Sequence, residues 1–227
     1  MKKLSAMLLV LTMIAAIAAG CGQTTNNETT AATTEATTEA TTEATTEATT
    51  EPETTEAAVA LEGAVAILAT IWNEVGEDNQ FPVVGGDTAY HNAQMEKDET
   101  YIMPSAPGKF DLTQTDELTY TMLVPAEEQA NITDAATMIH MMNSNNFSSG
   151  VYNVGAEKAA DFAAAMKTAV LGNQWMCGMP ETLLIAVIDS ENVMVVWGVN
   201  DALTLFVPAF EAVYPEAEVI VNEAIAG

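Results

Sequence analysis

The chain sets a long stretch with no large apolar residues between stretches rich in them. Leu4 to Ile17 is apolar apart from Ser5 and Thr12, and it follows the charged start Met1-Lys2-Lys3. From Gln23 to Glu56 the residues are almost all Thr, Glu, Ala and Asn, with Thr-Thr-Glu-Ala repeating from Thr33 to Ala48. Apolar residues return at Ala57. Ala57 to Val75 reads as a helix almost wholly apolar apart from Glu62, Thr70, Asn73 and Glu74, apolar enough to require burial on several sides. Residues 76–109 carry little periodicity, with loops at Gly85-Gly86 and from Pro104 to Gly108. Leu118, Tyr120, Met122 and Val124 alternate, which predicts a strand ended by Pro125. Ala126 to Met142 reads as a helix with a break near Asn131, stopped by Asn143-Ser144-Asn145-Asn146.

The pattern sharpens beyond that point. Phe147 to Val154 predicts a strand, and Glu157 to Leu171 a helix with Phe162, Met166, Ala169 and Val170 on one face. The aliphatic run Leu183 to Ile188, the turn Asp189-Ser190-Glu191-Asn192 and Val193 to Val199 predict a hairpin. Asn200 is placed to cap a helix carrying Leu203, Phe206, Val207, Phe210 and Val213, kinked at Pro208 and ended by Pro215. Glu218 to Asn222 predicts a last strand. The fold class is α+β. Residues 147–224 run β-α-β-β-α-β, which predicts a ferredoxin-like antiparallel sheet with two helices on one face. The apolar helix before residue 76 and the first β-α unit are then expected to cover the other face, since a bare apolar face of that size promotes aggregation.

Three parts follow from this pattern: residues 1–20 as a secretory signal, 21–56 as a spacer, and 57–227 as one globular domain. The apolar run is too short to favour a spanning helix, and its charged start and small-residue end suit export. The spacer has nothing to bury against the entropy of ordering, and its like-charged glutamates extend it. Fully stretched, residues 22–56 reach on the order of 100 Å. The alternative role for its threonines is to carry sugars.

Charge narrows the function. The whole chain has a formal charge of −26, and all six of its cations are lysines. Residues 57–227 hold 24 Asp and Glu against Lys97, Lys109, Lys158 and Lys167, a formal charge of −20. Phosphate backbones and anionic headgroups need clustered cations, so nucleic acid is excluded as a partner and electrostatic attraction to a lipid surface is disfavoured.

Ala18-Ala19-Gly20-Cys21 resembles the lipobox of bacterial lipoproteins, with Ala18 where that family prefers Leu. The resemblance implies cleavage before Cys21, diacylglycerol on its thiol and an extracytoplasmic protein held to the membrane by lipid. Ordinary cleavage after Ala16-Ile17-Ala18, releasing the chain, is the competing reading. The layout also resembles a loosely defined group of uncharacterised lipoproteins from clostridial-type bacteria. The stretches that carry this are Gly150-Val151-Tyr152, Asn173-Gln174-Trp175-Met176-Cys177-Gly178-Met179-Pro180 and Leu184-Ile185-Ala186. It implies no catalytic residues.

Little in the domain suggests chemistry. Cys177 is the thiol left after Cys21 is lipidated, so no internal disulfide is expected. As a nucleophile it would need His91 or His140 as base, and its apolar neighbours predict a buried, inert cysteine. Met138, His140 and Met141, crowded on the expected helix, and Cys177 are soft ligands of the kind Cu(I) takes. Asp189-Ser190-Glu191-Asn192 lacks the frame of a calcium loop, and Gly85-Gly86-Asp87 lacks the lysine of a phosphate loop and reads as a tight turn. Ser149-Gly150 lacks the nucleophile-elbow spacing, and Glu127-Glu128 and Asp116-Glu117 read as solvated pairs. The expected function is therefore a surface-anchored, non-catalytic interaction or accessory module, with no cofactor. The alternatives are a soft-metal carrier or sensor, and a small enzyme of unrecognised type.

Overall fold

The computed structural model describes residues 61–226, which form an α+β domain around a seven-stranded, wholly antiparallel sheet. The charged start, the apolar run, Cys21 and the Thr/Glu repeat lie outside the described residues. The major elements are α1 (Gly63–Val75), β1 (Val83–Gly85), α2 (Thr88–Lys97), β2 (Gly108–Lys109), α3 (Thr115–Tyr120), β3 (Asp134–His140), β4 (Phe147–Asn153), α4 (Ala159–Leu171), β5 (Thr182–Val187), β6 (Asn192–Gly198), α5 (Asn200–Val213) and β7 (Glu218–Ala224). The strands lie in the order β1-β3-β4-β6-β5-β7, with β2 also on β3.

The second half of the chain forms the elements its pattern predicts but joins them differently. In a ferredoxin-like sheet the last strand lies beside the first of the four, here β4. Instead β3 occupies that side of β4, and β7 pairs with the outer edge of β5. The connection β4-α4-β5 steps over β6, and β6-α5-β7 steps over β5 in the same direction across the sheet. The two connections start from antiparallel strands. Right-handed crossovers therefore put their helices on opposite faces.

Burial agrees with this. Helix α4 packs on the face of Tyr152, Leu183, Ile185, Val193, Val195 and Trp197. Helix α5 packs on the face of Met138, Phe147, Val151, Leu184, Met194 and Val196, with α1 beside it. The apolar helix does cover the sheet, but it shares its face with α5. Residues 110–132 join α4 on the other face through Phe110, Leu118, Met122, Val124 and Ile132. The result is three layers, with the sheet between helices.

Two elements of the first half differ from their expected type. Asp134–His140 is a strand, not part of a helix spanning 126–142. Its two alanines and methionine favour helix, but the segment lies between β1/β2 and β4 and is buried on both faces, so no alternation marks it. Residues 118–124 are not a strand. Leu118 lies in α3, and Met122, four residues on, is also buried while Tyr120 stands 80% exposed. The chain then reverses at Leu123, where φ is 56°, and Val124 N–H donates to the Leu118 carbonyl.

The starts of α1 and α5 are capped from elsewhere in the fold. Ala64 N–H donates to Asp134 Oδ2 at 2.8 Å, so a side chain from β3 closes the start of α1. Asn200 does not cap α5. Its own N–H donates to Glu181 Oε2 at 2.6 Å. Pro208 lies within α5, which continues to Val213.

Candidate functional site

Strands β1 and β2 form one broken edge strand. Gly85, Val84 and Val83 face Met138, Ile139 and His140, while Lys109 and Gly108 face Ala136 and Thr137 on the same side of β3. Residues 86–107 leave the line between them and return. The junction needs glycine at both ends: a Cβ on Gly85 would collide with the Gly108 backbone, and one on Gly108 with Gly85. Gly86 turns the chain outward at φ 84°. Its N–H donates to Thr137 Oγ1 at 3.1 Å, and the Thr137 hydroxyl donates to its carbonyl at 3.0 Å.

The excursion is tied down by buried polar groups. Asp87 caps α2 by accepting from Tyr90 N–H at 2.8 Å and also accepts from Asp111 N–H at 3.1 Å. His91 is buried with its Nε2 2.7 Å from the Gly85 carbonyl and its Nδ1 2.9 Å from the Tyr101 hydroxyl. A carbonyl only accepts, so Nε2 carries a proton, and in that neutral tautomer Nδ1 accepts from Tyr101. Desolvation, then the nearby Tyr90, raises the Tyr101 pKa and keeps its hydroxyl proton in place. The Glu117 carboxylate accepts from the Thr88 N–H and hydroxyl, so the pair Asp116-Glu117 is not simply solvated.

Above this edge lies an open cleft of about 1240 Å³. It is bounded by the entry to α1 (Leu61, Glu62, Val65), by stretches 85–91 and 104–112, and by Thr133 and Asp134. Its charged lining is Glu62, Asp87, Asp111 and Asp134 against Lys109. Lys109 Nζ lies 3.5 Å from Asp134 Oδ1. Hydrogen bonds from the backbone and side chain of Thr113 hold the Asp111 carboxyl below its ordinary value of 3.8.

The sequence-predicted soft ligands fare differently. Met138 is fully buried in the core beneath α1 and α5. His140 stacks on Phe81 at 5.8 Å, and its Nδ1 accepts from Met142 N–H at 3.1 Å. Met141 is 44% exposed. Cys177 is exposed, contrary to its apolar setting, and sits at φ 61° in the loop before β5. The fold does bring this loop to the β3–β4 turn: Asn143 Nδ2 donates to the Cys177 carbonyl at 2.7 Å, and Asn145 Nδ2 to the carbonyls of Met176 and Gly178. Cys177 and His91 are not paired, since both ring nitrogens of His91 are engaged by Gly85 and Tyr101. Among the described residues no group of three or more His, Cys, Asp or Glu is placed to hold a metal.

Sequence reasoning missed the cleft. Asp87 before an uncharged turn of helix was a legible cap signal, but nothing local pairs it with Asp111 or sets His91 under Gly85. Among the described residues no helix is long and apolar enough to cross a membrane. Compared with protein-family models, curated proteins and solved structures, the chain matches none.

Proposed function

We propose that this chain is an extracytoplasmic lipoprotein, anchored through lipid on Cys21, whose domain is a non-catalytic binding module working through the cleft beside β1 and β2. The observation that carries the non-catalytic reading is the state of the cleft's buried polar groups. Asp87 and His91, the two with the chemistry for acid–base work, are engaged on both oxygens and both nitrogens. They brace the wall, and their hydrogen bonds to the backbone and to Tyr101 occupy the atoms that acid–base work would use. The spacer's reach supports presentation of that opening away from a membrane.

Two measurements on the full chain in a bacterial host test this. Fatty-acid labelling is expected on the wild type and absent from Cys21→Ala, which leaves the membrane fraction. A mature protein beginning elsewhere with Cys21 unmodified sinks the anchor. A photo-crosslinking residue at Leu61 or Tyr90 is expected to give discrete adducts, and one at Ala224 none. Adducts at Ala224 alone would move the binding surface to the other side of the sheet.

A second reading, a soft-metal carrier, rests on the exposed sulfurs of Met141, Met176 and Cys177 near the joined turn and loop. Met138, buried in the core, is out of reach of that surface, and His140 keeps its Nε2 free of hydrogen bonds among the described residues. A Cu(I) titration of the reduced Cys21→Ala chain that shows no binding tighter than about micromolar, a weak affinity on the usual scale, ends it.

A further inference from the structure

The cleft carries a preference that can be read from its own lining. Three features bear on it: which charges remain unanswered, what the lips are made of, and how large the space is.

An anion is poorly served. The positive features near the opening are Lys109 and the starts of α1 and α2. Asp134 answers Lys109 Nζ at 3.5 Å and the α1 start through Ala64 N–H at 2.8 Å, while Asp87 and Glu117 answer the start of α2. Glu62 and Asp111 remain. Glu62 gives no side-chain cap to α1, and Asp111 is held in its charged form by Thr113. The surrounding field points the same way, because residues 57–227 carry a formal charge of −20.

The lips are not simply acidic. Leu61 is 55% exposed and Tyr90 53% exposed, and Val65, Pro104, Pro107 and Leu112 add apolar wall. Apolar surface beside carboxylates matches an ammonium on an alkyl stem, whose methylenes lie on the wall while the charge reaches the carboxylate. The half-exposed Tyr90 ring adds an aromatic surface of the kind cations favour. The open volume of about 1240 Å³ exceeds the roughly 300–1,000 Å³ of small-molecule pockets, which favours a length of extended chain over a free amine.

We propose that the cleft docks an extended, lysine-bearing peptide segment, with Glu62 and Asp111 receiving its ammonium groups and Leu61, Pro107 and Tyr90 its aliphatic stems. This rests on the cleft being the binding surface.

The test uses the Cys21→Ala chain and a fluorescent hexalysine peptide, followed by anisotropy at low and physiological salt. Saturable binding is expected, weakening as salt rises. The pair Glu62→Gln/Asp111→Asn is expected to weaken it by about fivefold or more, the scale for losing two partly exposed ion pairs. The pair Glu216→Gln/Glu218→Gln removes the same charge near β7 and is expected to leave affinity unchanged. Tyr90→Ala, which leaves net charge alone, is expected to weaken binding as well. Thermal melts check that each variant is folded.

Equal losses from the two charge-removing pairs would mean diffuse attraction to a polyanion and overturn the proposal. Spermine binding as tightly as hexalysine would assign the cleft to small amines and overturn it too, as would no saturable binding. If hexalysine fails while crosslinks at Leu61 and Tyr90 still form in cells, the ligand class is wrong and the cleft stands. If both fail, the cleft reading falls.

Discussion

The sheet ends in two edges finished in opposite ways. At β1 and β2 the edge is five residues in two pieces, joined at a glycine contact, with residues 86–107 folded back beside it. Even its backbone is partly covered, since Val83 N–H donates to Ser105 Oγ at 3.2 Å. At the other side β7 offers seven residues, of which only Val221 is buried. Val219 and Ile220 stand exposed there, and the register shifts opposite Ile185 and Ala186.

A bulge and flanking charges keep a continuous edge from pairing with another chain. Glu218, Glu223 and the Lys167–Glu223 ion pair supply that charge at β7. Exposure of an edge and open space beside it are thus separate properties in this sheet. The open edge is guarded against partners, whereas the covered edge, because its cover stands off from the start of α1, encloses the cleft.

The comparison breaks most directly at the glycine junction. Gly108→Val drives a branched side chain into Gly85, and a loss of about 4 kcal/mol or outright unfolding is expected, of the size reserved for backbone clashes in a core. A urea melt within about 1 kcal/mol of wild type, an ordinary surface-scale change, would show that the two pieces are not locked together.

Asp87→Ala removes a cap and leaves the Asp111 N–H without its acceptor. About 2 kcal/mol is expected, from the cap and the orphaned donor together. Hydrogen exchange should quicken in α2 while β5, β6 and β7 stay protected. Equal quickening at both edges would mean that the excursion is not a separate unit.

Between the edges, Tyr152 on β4 tests the shared core. Its ring lies over Gly150, and its hydroxyl is buried with no hydrogen-bond partner. Desolvation pushes its pKa far up. Tyr152→Phe is expected to stabilise by about 1 kcal/mol by removing an unsatisfied buried group. A loss of stability would reveal a partner for the hydroxyl.

At β7, Lys167→Met is expected to move the thermal midpoint by no more than the equivalent of about 0.5 kcal/mol, since both partners are well exposed. Its sharper readout is association. Removing the positive member leaves Glu223 unpaired, and sedimentation should still report a monomer-sized species if the bulge guards the edge.

The smallest effect is one of pH. Asp111 has its pKa lowered on folding, so its contribution is fully present above the ordinary value of 3.8 and is lost as pH falls through the folded value. Asp111→Asn should flatten the acid limb below pH 3.8, the small loss of stability appearing at neutral pH and vanishing in acid. An unaltered acid limb would remove Asp111 from the account.

Sequence by itself determined the second half's elements and the acidic character. Helix α4, the β5–β6 hairpin and α5 each carry their signal within a few residues: a helical stripe, an aliphatic run, a turn rich in Asp, Ser and Asn. Tertiary structure alone decided where those elements went. The choice of β5 over β4 as partner for β7 put the two helices on opposite faces, and no local residue encodes that choice. Pairing with β1, β2 and β4 made Asp134–His140 a strand, and burial on both faces erased the alternation that would have marked it in the sequence. The cleft belongs to the same class. Its walls meet through Gly86 and Thr137, 51 positions apart, and through Ala64 and Asp134, 70 apart. Hydrogen bonds between residues so distant leave no periodic trace in the chain, since each partner reads locally as an ordinary glycine, threonine, alanine or aspartate.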